Sequence, residues 1–117
     1  MNDEAIVRAS FDAYTAQDRE AAEQIFASDF VFTSPQDDAI DRATWFETCF
    51  PTADRFVSNE LLEVVASATG VISLYEYELQ SGQRYRNTEL ARVHDGQIVE
   101  VQVFFGGQVR RGKLHSE

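Results

Sequence analysis

From residue 55 onward the chain reads as four long strands and nothing else: 55–67, 71–81, 83–94 and 97–106. Turn signals separate them at Gly70, at Ser81-Gly82 and at Asp95-Gly96. The last is the strongest, because a two-residue type I′ hairpin needs positive φ at both central positions and Asp-Gly supplies it. Four consecutive strands joined by short loops predict an antiparallel meander with one face available for a core.

Side-chain parity says which face that is. In 83–94 the even positions hold Arg84, Arg86, Thr88, Leu90 and Arg92, and the odd ones Tyr85, Asn87, Glu89, Ala91 and Val93. Three arginines cannot share a core, so the odd face is predicted inside. The same reasoning turns Val71, Ser73, Tyr75, Tyr77 and Leu79 inward, and Val99, Val101, Val103 and Phe105 with them. Asn87 and Glu89 then project into an apolar, aromatic interior. A carboxyl there costs several kcal/mol unless it is hydrogen-bonded or raises its pKa. Three roles stay open for Glu89: a structural hydrogen bond, a ligand contact or catalysis.

The first half has a different period. Ile6, Val7, Ser10, Phe11 and Tyr14 fall at helical spacing and predict a helix over 3–16. Asp18 is placed to cap a second helix, 19–27, with Ala22, Ile25 and Phe26 on its buried side. Alternation through Phe30, Phe32 and Ser34 predicts a strand that Pro35 ends. A polar loop, Gln36 to Asp41, leads to a third helix at 42–50 that carries Trp45, Phe46, Cys49 and Phe50 and stops at Pro51. The expectation is an α+β fold: three N-terminal helices packed on one side of a strongly bent antiparallel sheet around an apolar pocket. It is one domain over 1–117, with 107–117 as a tail.

Charge narrows the partners. Twenty acidic against ten basic residues give −10, which repels nucleic acid and anionic membrane surfaces. The acidic start lacks the apolar stretch of a signal peptide, and no run approaches the ~20 apolar residues of a membrane span. A single cysteine, Cys49, leaves no intrachain disulfide, and the expected location is the cytoplasm. Asp37-Asp38-Ala39-Ile40-Asp41 has the spacing of a magnesium-binding aspartate motif, but in a loop ending at a helix cap it reads as a solvated rim. His94 by a turn and His115 in the tail give no pair, so no metal and no cofactor is expected. Cys49 has no neighbouring cation in sequence to activate it, and Arg110, Arg111 and Lys113 form a short basic cluster near the end.

Three runs, Val7 to Asp18, Ala27 through Pro35, and His94-Asp95-Gly96-Gln97-Ile98 to Phe105-Gly106, resemble the nuclear transport factor 2-like superfamily, and within it the SnoaL-like proteins. The resemblance spans about residues 3–107. It implies a cone-shaped fold with a deep pocket at the wide end and, commonly, a dimer through the outer sheet face. It also admits several chemistries, among them ketosteroid isomerisation, polyketide cyclisation, dehydration and epoxide hydrolysis, as well as binding alone. Carried over from the isomerases, the general base falls on Ser34, the oxyanion tyrosine on Ser10 and the protonated acid on Glu89. In the cyclases a carboxylate serves as acid and base, a part open to Glu89 with Asp37 or Asp38, and Tyr14, Tyr75 or Tyr77 as donors. The expected ligand is a small hydrophobic molecule. Glu89 is its catalytic candidate, with Asn87, Tyr14, Phe32, Ser34, Trp45, Tyr75, Tyr77, Val103 and Phe105 around it. A non-catalytic dimeric module that binds a ligand or a protein is the alternative. Glu76, Glu78, Arg84, Arg86, Arg92, Glu100, Gln102 and Phe104 give the outer face both charge signs and some apolar area, which suits a two-fold homodimer.

Overall fold

Each of the first two helices starts on a side-chain cap. The computed structural model describes residues 1–110 and the strand backbone of 113–115. Asn2 Oδ1 accepts the Ala5 N–H at 2.8 Å to open α1 (Asp3–Ala16), with Asp3 and Glu4 in its positive first turn. Gln17 takes the left-handed conformation, φ 54°, and turns the chain so that Asp18 caps α2 (Arg19–Ile25) through Ala21 N–H at 3.1 Å. The helix is shorter than the 19–27 expected. Phe26 is already extended and begins β1 (Phe26–Ser34), because its ring joins the aromatic cluster, 4.5 Å from Trp45 and 4.7 Å from Phe30.

The segment after Pro35 is a strand, not a loop. Ser34 Oγ accepts the Gln36 and Asp37 N–H groups at 3.1 and 3.2 Å, closing a turn tight enough for β2 (Asp37–Asp41) to pair antiparallel with β1. Its polar composition is that of an edge strand. Asp41 then caps α3 (Arg42–Thr48) through Thr44 N–H at 2.9 Å. The chain continues as a 3-10 segment, Phe50–Arg55, with Pro51 inside it rather than beyond it. A proline is tolerated there because the first turn has no use for its missing N–H.

The remaining strands are β3 (Phe56–Ala66), β4 (Val71–Leu79), β5 (Arg84–His94) and β6 (Gln97–Arg110), with Asp95 and Gly96 at φ 50° and 78° in the last hairpin. The order across the sheet is β2-β1-β6-β5-β4-β3, antiparallel everywhere except between β1 and β6. The meander is therefore part of a mixed sheet. Part of the expected tail is sheet as well: β6 runs to Arg110, and β7 (Lys113–His115) pairs back on it. Arg111 and the side chains of Lys113 and His115 lie outside the described residues.

Register carries the parity reading through. Glu76 pairs with Arg86 and Glu78 with Arg84 on the outer face, while Ser73 faces Glu89 and Tyr75 faces Asn87 inside. One position differs. A bulge makes Val93 pair with Ile98 while Arg92 pairs with Glu100, so Ile98 enters the core and Val99 is only partly buried. Phe30, Phe46, Ile98, Val7 and Val71 form the fully enclosed centre between helices and sheet.

A second β5–β6 bulge, between Tyr85 and Asn87, brings Gly106 against the β5 backbone, where a Cβ would lie 2.1 Å from the Arg86 carbonyl oxygen. Gly106→Ala is expected to lower stability by about 2 kcal/mol, as forced overpacking does, measured by urea denaturation. Wild-type stability in that variant would show that this close approach is not a constraint.

Candidate functional site

The bent sheet and the helices enclose a cavity of about 650 Å³ that is partly open to solvent. All ten residues singled out from the sequence line it: Glu89, Asn87, Tyr14, Phe32, Ser34, Trp45, Tyr75, Tyr77, Val103 and Phe105. They divide by depth and by what their polar atoms already do.

The floor is a hydrogen-bond chain on the inner face of β4 and β5. Gly106 N–H donates to Asn87 Oδ1 at 3.3 Å, which orients the amide so that Nδ2 donates to the Tyr75 hydroxyl at 3.5 Å. The Tyr75 hydroxyl in turn donates to the Glu89 carboxylate. Burial and the neighbouring Glu89 charge raise the Tyr75 pKa, so it stays a donor. Burial also pushes Glu89 up to about 7, against the partial opposition of the Tyr75 hydrogen bond. Glu89 retains some accessible surface although protein surrounds it, because that surface faces the cavity. Ser73, directly opposite on β4, is fully enclosed, and its Oγ has no partner.

The walls are aromatic. Trp45 meets Phe26, Phe30 and Phe50 at ring separations of 4.5, 5.5 and 5.7 Å, and Phe11 meets Tyr75 edge-on at 5.2 Å. Tyr14, one of the expected donors, is committed elsewhere. Thr52 Oγ1 uses its proton on the Cys49 carbonyl at 2.7 Å, so the Tyr14 hydroxyl, 2.7 Å away, donates to Thr52. Ser34 Oγ donates to Asp37 at 3.3 Å, which brings a carboxylate beside the position where the isomerase base would stand. Ser10 Oγ, at the position of the isomerase tyrosine, donates to the Val7 carbonyl at 2.6 Å. Burial raises the Cys49 pKa and keeps it a thiol.

Several polar lining residues were not foreseen, among them Asn59, Arg55 and Gln36. Asn59 faces Tyr77 across β3–β4, and its Oδ1 is buried without a partner. Its inward orientation follows a register shift near Phe56, which no parity count along β3 anticipates. The aspartates of the loop motif diverge: Asp37 lines the cavity, Asp38 is exposed and Asp41 caps α3.

Comparison with known proteins decides the family. The sequence profile of the SnoaL-like domain matches residues 7–101, most of the chain. The chain belongs to the SnoaL-like family. Among solved structures, this SnoaL-like protein is similar to a Kribbella flavida protein at 25% identity and TM-score 0.76, over 86% of this chain and 84% of that one. An NTF2-like protein of unknown function from Cytophaga hutchinsonii matches at 15% identity and TM-score 0.77, over 90% of each chain. IdmH from Streptomyces antibioticus, proposed to be a polyketide cyclase, matches at 21% and TM-score 0.68, over 88% of this chain and 91% of that one. These likenesses establish the nuclear transport factor 2-like fold. No protein of curated function matches the sequence. No helix among the described residues is long and apolar enough to cross a membrane.

The floor carboxyl has a thermodynamic signature. Between about 4.5, its ordinary pKa, and about 7, the unfolded chain releases the Glu89 proton while the folded protein keeps it. Stability therefore falls as pH rises across that window, by about 3 kcal/mol in total, and then levels. Glu89→Gln is expected to remove this component, so that urea denaturation finds the variant gaining on wild type as pH rises from 4.5 to 7. Parallel pH profiles for the two proteins would contradict the buried carboxyl.

Proposed function

We propose that this SnoaL-like protein binds a small apolar molecule bearing a carbonyl or hydroxyl oxygen and that Glu89 exchanges protons with it. The observation that carries this reading is a carboxyl at the floor of an aromatic cavity, with its pKa near 7 and Tyr75 as its protein donor. Near neutral pH such a group is populated in both forms. Protonated, it donates a hydrogen bond to a ligand oxygen; ionised, it accepts a proton from an acidic C–H or O–H. Among the other lining hydroxyls, Tyr14 is spent on Thr52, Ser34 on Asp37 and Ser10 on Val7. The cavity is within the ~300–1,000 Å³ that hold a drug-sized ligand, and its rings supply the apolar contact. Proteins of similar structure described as proposed polyketide cyclases, a proposed ketosteroid isomerase and an epoxide hydrolase are consistent with a small-molecule reading of the cavity.

The test uses an enolisable apolar ketone, 2-tetralone, in D2O. Binding is read from the fluorescence of Trp45, the only tryptophan, which lines the cavity. Proton exchange is read by NMR at the α-carbon. Wild type is expected to accelerate exchange and Glu89→Gln to lose about 100-fold or more of that acceleration, the low end of what a positioned acid–base group supplies. Binding without accelerated exchange would make this a binding module in which Glu89 is a structural carboxyl.

We further propose that two copies pair through the outer sheet face. Val65, Ile72 and Leu90 lie in one cross-strand row and Leu74 and Phe104 in the next, with Ile72 and Phe104 46% and 54% exposed. Beside them Glu76 binds both Arg84 and Arg86, and Arg92 binds Glu100 at 3.2 Å. An apolar stripe flanked by both charge signs is self-complementary about a two-fold axis. Light scattering is expected to find a dimer that Phe104→Glu converts to monomer. A wild-type monomer at micromolar concentration would overturn the pairing.

A further inference from the structure

The mouth of the cavity carries a charge that the rest of the molecule does not explain. Among the described residues lining the cavity, Arg55 is the only cation, and no described side chain pairs with it, although the chain has twice as many acids as bases. Arg84, Arg86 and Arg92 all find carboxylates on the outer face. Arg55 is held at the junction of the 3-10 segment and β3, where its carbonyl accepts the Gln80 N–H at 3.3 Å. It is exposed, yet its positive charge reaches Tyr14 and Cys49, whose pKa values burial raises and where the charges of Asp54 and Asp37 oppose that of Arg55. Asp37, the lining acid besides Glu89, has its carboxylate engaged by Ser34 Oγ.

Position along the sheet sets the ligand's shape. Glu89 is level with Ser73 and Arg55 with Gln80, seven residues further along, roughly 23 Å of extended chain at ~3.3 Å per residue. Aromatic side chains line the interval, with Phe56, Tyr77 and Tyr85 in contact: Phe56–Tyr77 edge-on at 5.2 Å and Tyr77–Tyr85 stacked at 5.7 Å. The two charged ends are thus separated by an apolar wall. A guanidinium presents a planar fork that matches a carboxylate, and a single guanidinium on a cavity that also carries Asp37 favours one negative charge over the two of a phosphate monoester.

Resting on the apolar-ligand reading above, we infer that the ligand is an elongated apolar carboxylic acid whose carboxylate is held by Arg55 at the mouth. Its body lies along the Phe56–Tyr77–Tyr85 wall, and its other end points to the floor. Arg55 is a specificity-determining residue on this account, remote from the group that exchanges protons.

The experiment compares decanoate, methyl decanoate and decyl phosphate by quenching of Trp45 fluorescence at pH 8, in wild type, Arg55→Gln and Arg55→Lys. Wild type is expected to bind decanoate about fivefold more tightly than the ester, the upper range for a solvent-facing ion pair. Arg55→Gln is expected to erase that difference by weakening the acid alone, and Arg55→Lys to keep part of it. Equal affinity for acid and ester in wild type, a preference that survives Arg55→Gln, or tighter binding of decyl phosphate would each overturn the inference. Ester binding without any acid preference would leave the apolar-cavity reading standing; failure of all three probes to bind would overturn both.

Discussion

Arg84 and Arg86 grip Glu76 on the outer surface of the sheet, and everything inside it depends on that grip. Glu76 is itself 7% exposed, and the hydrogen bond from Arg86 holds its carboxyl below the usual range. Because strand side chains alternate, fixing the arginines outside fixes Asn87 and Glu89 inside. A slip of one residue would exchange the faces, sending arginines into the aromatic cavity and the acid to water. The ion pairs therefore act on specificity of register more than on net stability, since partly exposed pairs are worth little alone.

Inside, the same alternation sets a polar chain against an apolar wall. Gly106 matters because it has no side chain: its backbone approaches Arg86 closely enough to hand its N–H to Asn87. Asn87 turns to Tyr75, and Tyr75 turns to Glu89. Desolvation outweighs that last hydrogen bond and leaves Glu89 with a proton it can lose near neutrality. A second donor to the carboxylate would lower its pKa, and the partnerless Ser73 hydroxyl opposite does not supply one.

Strand parity makes the floor of the site legible in the sequence. Three arginines on one face of residues 83–94 are enough to place Asn87 and Glu89, and Asp95-Gly96 pins the hairpin that follows. What escaped was whatever a bulge or a tight turn decides. Ile98 replaces Val99 inside because β6 gains a residue opposite Arg92, and β2 exists because one serine hydroxyl closes a turn across Pro35 and Gln36. Phe26 has helical spacing with Ala22 but is claimed by Trp45 and Phe30 from elsewhere in the chain. Arg55 and Asn59 belong to the same class, since only pairing with β4 shows that they meet the cavity. The partners that occupy the Tyr14 and Ser34 hydroxyls, Thr52 and Asp37, are likewise set by tertiary or turn contacts that spacing does not show.

The central claim is that the fold holds one ionisable carboxyl at the floor of an apolar cavity, poised between its two forms. Carbon-13 NMR of the Glu89 side-chain carboxyl, followed from pH 3 to pH 9 in the ligand-free protein, reads that state directly. The account expects a midpoint near 7, moving higher in Tyr75→Phe as the donor is lost. A midpoint near 4.5, the ordinary value for a solvated glutamate, would contradict it.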